Sequence, residues 1–83
     1  MKFFKREVVL DPGTAHAYVP SEWRGALVVI KTGWIELETR SGVRRTFVAG
    51  DMVWLAGLPL RLFRNPGPKA ALLEASTRGK PVS

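Results

Sequence analysis

Apolar and polar residues alternate in short runs along this chain, and glycine or proline interrupts almost every run. Period-two alternation over four to eight residues puts successive side chains on opposite faces of a strand, so the rhythm predicts an all-β domain. Arg6 to Leu10 reads as a first strand, ended by the turn sequence Asp11-Pro12-Gly13. Residues 14–24 read as irregular, because Pro20-Ser21-Glu22-Trp23-Arg24 breaks regular pairing. Gly25 to Lys31 is strongly β, and its Ala-Leu-Val-Val-Ile run is apolar on both alternating sets, so both of its faces should be covered. Thr32-Gly33 is a tight turn or bulge.

Trp34 to Thr39 then alternates cleanly, with Ile35 and Leu37 on one face and Glu36 and Glu38 on the other. Ser41-Gly42 is a hairpin tip, and Arg44 to Ala49 returns as a strand. Gly50-Asp51 turns into Met52 to Leu55, and Gly57-Leu58-Pro59 turns into Leu60 to Arg64. After Asn65-Pro66-Gly67-Pro68, Lys69 to Ser76 contains Ala-Ala-Leu-Leu-Glu-Ala, which has good helix propensity. The preceding turn and the shortness of this segment favour a strand. Residues 77–83 read as a polar, frayed tail. About seven short strands at this spacing imply a small barrel or a two-sheet sandwich.

A length of 83 residues holds one domain, 1–83, with one modest core and no internal repeat or linker. Cysteine is absent, which excludes disulfides, thiol catalysis and Cys-ligated metal. The lack of staples points to the cytoplasm, as does an N-terminal apolar stretch too short for a signal peptide. The longest apolar run elsewhere, Ala26 to Ile30, is far short of a membrane span, so no membrane partner is expected. Thirteen Lys and Arg against seven Asp and Glu give a net charge of +6. These cations are scattered and form no run or basic helix, so the charge reads first as a solvated basic surface.

From Gly25 onward, over about fifty residues, the chain resembles the cupins, a family of small jelly-roll barrels. Their second motif is Gly, five residues, Pro-x-Gly, two residues, His, three residues, Asn. Gly50 opens it here, with Asp51 following, and Asn65 closes it. Between them Ala56 stands at the proline, Leu58 at the glycine and Arg61 at the histidine, and the turn glycine is displaced to Gly57. The first motif ends Glu, six residues, Gly, with two histidines upstream. Gly33 fits its glycine, Ala26 takes the glutamate position, and the histidine positions fall within residues 19–22, which hold none. The resemblance implies a cupin-like jelly-roll barrel of seven or more antiparallel strands without the family's metal ligands. SH3-like and OB barrels are the alternative folds.

Catalytic cupins hold a divalent ion with histidines and a carboxylate. This chain has one histidine, His16, outside both motifs, and an Arg at the last ligand position would repel a cation. No metal and no cofactor is therefore expected. Metal-free chemistry would fall to His16 and Tyr18, whose spacing would let them share a face of an extended segment. The sugar-nucleotide epimerases, metal-free cupins of much longer chain, use His and Tyr as base and acid. The other reading of His16 is a satisfied or exposed histidine near a turn. In the cupin frame Arg61 enters the barrel beside Phe63. There it would either pair with Glu36, Glu38 or Glu74, or bind a carboxylate or phosphate. Trp23, Trp34 and Trp54 bear two readings. Such residues are most often core, yet Trp34 shares a face with Glu36 and Glu38, and both faces of the Met52–Leu55 strand are apolar, so one of them needs a cover.

These observations favour a metal-free cupin-like domain, not an enzyme, that binds a small anionic ligand or serves as a dimeric assembly module. Arg61, Phe63, Trp23, Glu36, Tyr18 and His16 are its candidate ligand residues. A basic barrel binding nucleic acid is the alternative, and a metal-independent isomerase or epimerase using His16 and Tyr18 is the third reading. A homodimer is expected because outward Leu27, Val29, Trp54, Leu60 or Leu62 would leave a patch too large for a soluble monomer.

Overall fold

The computed structural model describes residues 3–78. Eight strands and one helical turn follow in the order β1 (Phe3–Leu10), β2 (Ala15–Ala17), α1 (Pro20–Trp23), β3 (Leu27–Thr32), β4 (Trp34–Thr39), β5 (Arg44–Val48), β6 (Met52–Trp54), β7 (Leu60–Arg64) and β8 (Ala71–Arg78). They form two four-stranded antiparallel sheets, ordered β1-β8-β3-β6 and β2-β7-β4-β5. The alternation within β3, β4 and β8 supplies the inner faces. Val28, Ile30, Ile35, Leu37, Leu73 and Ala75 are all buried in one core, with Leu10, Leu55 and Phe63. The expected all-β architecture holds, and Lys69 to Ser76 contributes to a strand rather than a helix.

Three local expectations differ. Residues 14–24 are ordered: β2 pairs with β7, and Pro20 at the start of α1 has the φ a first helical turn needs. This turn exists to place Trp23, which is buried and tilted against Phe63 at 4.5 Å between ring centroids. The Arg6 guanidinium covers Trp23 from outside, 4.7 Å from its ring. Secondly, Thr77 and Arg78 belong to β8, opposite Phe4 and Phe3; residues 79–83 of the expected tail lie outside the described residues.

The third difference changes the site. Between β4 and β7 the register runs Glu38 to Leu62 and then Thr39 to Leu60, leaving Arg61 as an extra residue in a β-bulge. The bulge resets the alternation, so Leu60 turns inward and is buried together with Phe63. Arg61 points out, with 63% of its side chain exposed. The expectation that Arg61 enters the barrel beside Phe63 is therefore corrected, as is the expectation of an outward Leu60.

The motif positions Gly33 and Asn65 hold the frame. Gly33 has φ +76, and a Cβ there would lie 3.0 Å from both the Ala70 carbonyl oxygen and the Ala71 Cα. Only glycine fits that left-handed position against another strand's backbone. Asn65 is fully buried, and its amide nitrogen donates to the carbonyl oxygens of Leu10 and Lys69. Its Oδ1 accepts from the Gly67 N–H.

Candidate functional site

The hairpin β4–β5 sets the geometry of a mouth that opens between β5 and β6. Thr39 organises its tip: the Thr39 N–H donates to the Val43 carbonyl oxygen, and Thr39 Oγ1 accepts from the Val43 N–H. The resulting register pairs Glu38 with Arg44, Leu37 with Arg45, and Ile35 with Phe47. Residues directly opposite in an antiparallel pair share a face. Arg45 and Phe47 therefore lie on the inner side of the sheet with Ile35 and Leu37, whereas Arg44 lies on the outer side with Glu38.

A cavity of about 450 Å³ occupies this mouth. Leu37, Phe47, Val53 and Leu60 form its apolar wall, and Trp54 contributes to its rim. Its polar lining is Arg45 and the hydroxyls of Thr39 and Ser41, which lie 3.0 Å apart and occupy one another. No carboxylate lines the cavity, and among the described residues Arg45 has no ion-pair partner. The arrangement offers an apolar body site with one cationic fork at its entrance. Such a fork suits a carboxylate or a similar anion.

The six residues singled out from the sequence divide into two groups elsewhere. Tyr18, Trp23 and Phe63 come together as an aromatic cluster, with Tyr18 edge-on to Phe63 at 5.8 Å. Trp23 and Phe63 are buried as core. His16 lies opposite Phe63 on the edge strand β2 and is exposed. Tyr18 follows the end of β2, its N–H donating to the Arg61 carbonyl oxygen. Arg61 and Glu36 sit on the outer face of the second sheet, in a network centred on Glu38. Arg44 Nε lies 3.1 Å and Arg64 Nη1 3.5 Å from Glu38 Oε1, and Arg61 Nη1 lies 3.6 Å from Oε2. Arg64 Nη1 also bonds Glu36 Oε1 at 3.1 Å. Glu38 is 6% exposed although it faces outward, because these three arginines cover it. Arg61 does pair with one of the expected glutamates, but outside the barrel.

Arg45 was missed from the sequence because it reads as one more cation beside a turn. A two-residue Ser41-Gly42 tip would pair Arg45 with Glu38 and turn it outward. The loop is instead the three residues 40–42 between Thr39 and Val43, which pairs Arg45 with Leu37 on the inner face.

The donor set of the interior does not fit a divalent metal. At the positions corresponding to cupin ligands, Ala26 is buried, Arg61 faces outward, and residues 19–22 run into α1. Among the described residues, no group of three His, Asp or Glu side chains could hold an ion. No helix among them is long and apolar enough to cross a membrane.

No family model matches this chain, and no curated protein does. Among solved structures it is similar to the crystal structure of the Cupin_2 domain of an XRE family transcriptional regulator from Enterobacter cloacae. The TM-score is 0.72 at 24% sequence identity, covering 95% of this chain and 84% of that one. The fold is that of a cupin.

Proposed function

We propose that this cupin-fold domain is a binding module for a small molecule with an apolar body and one anionic end, held in the mouth between β5 and β6. The observation that carries the reading is the pairing of an apolar wall with a single unopposed cation, Arg45. At about 450 Å³ the cavity lies within the ordinary range of small-ligand sites, roughly 300–1,000 Å³. Apolar burial supplies affinity, and the guanidinium selects the charge and fixes the orientation.

The distribution of the cations supports this over a nucleic-acid surface, which needs a continuous basic stripe with aromatic side chains. Arg44, Arg61 and Arg64 are engaged by Glu36 and Glu38. Arg6 covers Trp23, and Arg45 stands alone at the mouth. The isomerase reading rests on His16 and Tyr18 alone, and neither lines the mouth cavity.

A chain-matched series tests the proposal: octanoate, octanol and octylamine titrated calorimetrically into the protein. The expected order is octanoate first, octanol about tenfold weaker, and octylamine weakest. Arg45→Gln should bring octanoate down to the level of octanol and leave octanol unchanged. Equal affinities across the series, or no binding at millimolar ligand, would overturn the reading.

A further inference from the structure

The mouth lies between two edge strands, and one of its lips offers backbone groups as well as side chains. Among the described strands, β5 ends its sheet and pairs with β4 alone, as β6 ends the other sheet and pairs with β3 alone. The Thr39 N–H donates to the Val43 carbonyl oxygen and the Ala49 N–H to the Gly33 carbonyl oxygen, which fixes the residues of β5 whose backbone faces β4. Hydrogen-bonded pairs alternate along an antiparallel ladder, so Arg45 and Phe47 bond Leu37 and Ile35 through their backbone. Arg44 and Thr46 turn their backbone groups the other way, to the free edge. Val48 does the same, and its N–H is taken by Asp51 Oδ2 at 2.8 Å. Two N–H and two carbonyl groups, those of Arg44 and Thr46, thus stand in line beside the mouth, on residues that are both exposed. The side chains that alternate with them, Arg45 and Phe47, line the cavity itself.

We infer that the mouth takes an extended peptide, added antiparallel to the free edge of β5, with an apolar side chain opposite Phe47 and an acidic one opposite Arg45. The inference rests on the mouth being the ligand site and names the class of its ligand. Strand addition draws affinity from main-chain hydrogen bonds and selectivity from alternate side chains. Residues directly opposite each other share a face. A peptide side chain opposite Phe47 therefore enters the cavity lined by Val53 and Leu60, and one opposite Arg45 meets the unpaired guanidinium. The peptide residue between them, opposite Thr46, points to solvent and exchanges both backbone hydrogen bonds with Thr46. Read from the peptide's N-terminus, the pattern is apolar, any residue, acidic. An inward-pointing charge on an edge strand ordinarily guards it against pairing. Here the charge selects the partner. A second β5 would bring the arginines of two copies together, and a wholly apolar strand would cover Arg45 without a counterion, whereas an acidic residue at this register pairs with it. The opposite lip is the poorer template, because β6 is three residues long and only its Val53 packs toward the core.

The test uses the capped pentapeptide acetyl-Thr-Phe-Thr-Glu-Thr-amide, titrated calorimetrically into the full chain beside octanoate. Its isomer acetyl-Thr-Phe-Glu-Thr-Thr-amide has the same composition but turns its carboxylate to the solvent side, and should bind about fivefold more weakly or worse. N-methylation of the central threonine keeps both side chains and removes the N–H that meets the Thr46 carbonyl oxygen, and should weaken binding by a similar factor. Arg45→Gln should bring the two isomers to within about twofold of each other. These contrasts lie mostly in the probe, so they do not depend on a variant that must fold. Octanoate binding without pentapeptide binding at millimolar concentration, equal affinity of the two isomers, or indifference to N-methylation would each overturn strand addition and leave the mouth as a small-molecule site. Failure of octanoate and both peptides alike would overturn the mouth as a site, and this inference with it.

Discussion

The side-chain amide of Asn65 donates to the carbonyl oxygen of Leu10 at 2.8 Å, across 55 positions of chain. With its bonds to Lys69 and Gly67, this residue ties the end of β1 to the turn that launches β8. Asn65→Leu removes three buried hydrogen bonds and leaves two carbonyl oxygens without this donor. It should cost about 2–4 kcal/mol in urea unfolding. Asn65→Asp should cost at least as much despite its shape, because a carboxylate would face the same two carbonyls with no proton to give. A loss below about 1 kcal/mol for both would mean that water replaces the amide at this junction.

Two glycines with positive φ should respond differently to alanine. At Gly33 the added methyl meets backbone of the neighbouring strand, whereas at Gly42 it meets nothing within 4 Å. Gly42→Ala should lose only the left-handed penalty, about 1–2 kcal/mol. Gly33→Ala adds a backbone displacement and should lower the unfolding free energy by clearly more. Equal losses would show that the β3–β4 turn yields without resistance.

The arginine cluster on the second sheet predicts an asymmetry. Arg61 is mostly exposed, so Arg61→Leu should change stability by less than about 1 kcal/mol. Glu38→Leu leaves Arg44, Arg61 and Arg64 facing one another without their shared carboxylate, and should cost more, roughly 1–3 kcal/mol. Chemical denaturation of both variants at two salt concentrations checks this; the Glu38 effect should shrink as salt rises.

Much of the frame was legible because local pattern and tertiary role agree in it. Ile35 and Leu37 face in and Glu36 and Glu38 face out, as their alternation requires, and β4 and β7 begin and end where the turns say. Gly33 and Asn65 stood at motif spacing and carry the contacts that such spacing serves. Arg61 was misread because the motif frame sets it at a ligand position on the face of Phe63. The adjacent apolar pair Leu62-Phe63, which breaks the alternation of the strand, was the local sign of an irregularity. The bulge is set by pairing with β4, a partner more than twenty residues away. The order in residues 14–24 was missed for a related reason: Trp23 is held by Phe63 and Arg6, both distant in sequence. Arg45 needed the hairpin register rather than the local pattern, and so the candidate site moved from β7 to the mouth beside β5.

The central claim is that the β5–β6 mouth is where this domain takes its ligand. A backbone-amide NMR titration of the ¹⁵N-labelled chain with octanoate tests it most directly. The account predicts saturable shifts concentrated at Leu37, Arg45, Phe47, Val53 and Leu60, with the midpoint moved to about tenfold higher octanoate by Arg45→Gln. Shifts centred instead on His16, Tyr18 and their neighbours in β2, with the mouth residues unmoved, would contradict it.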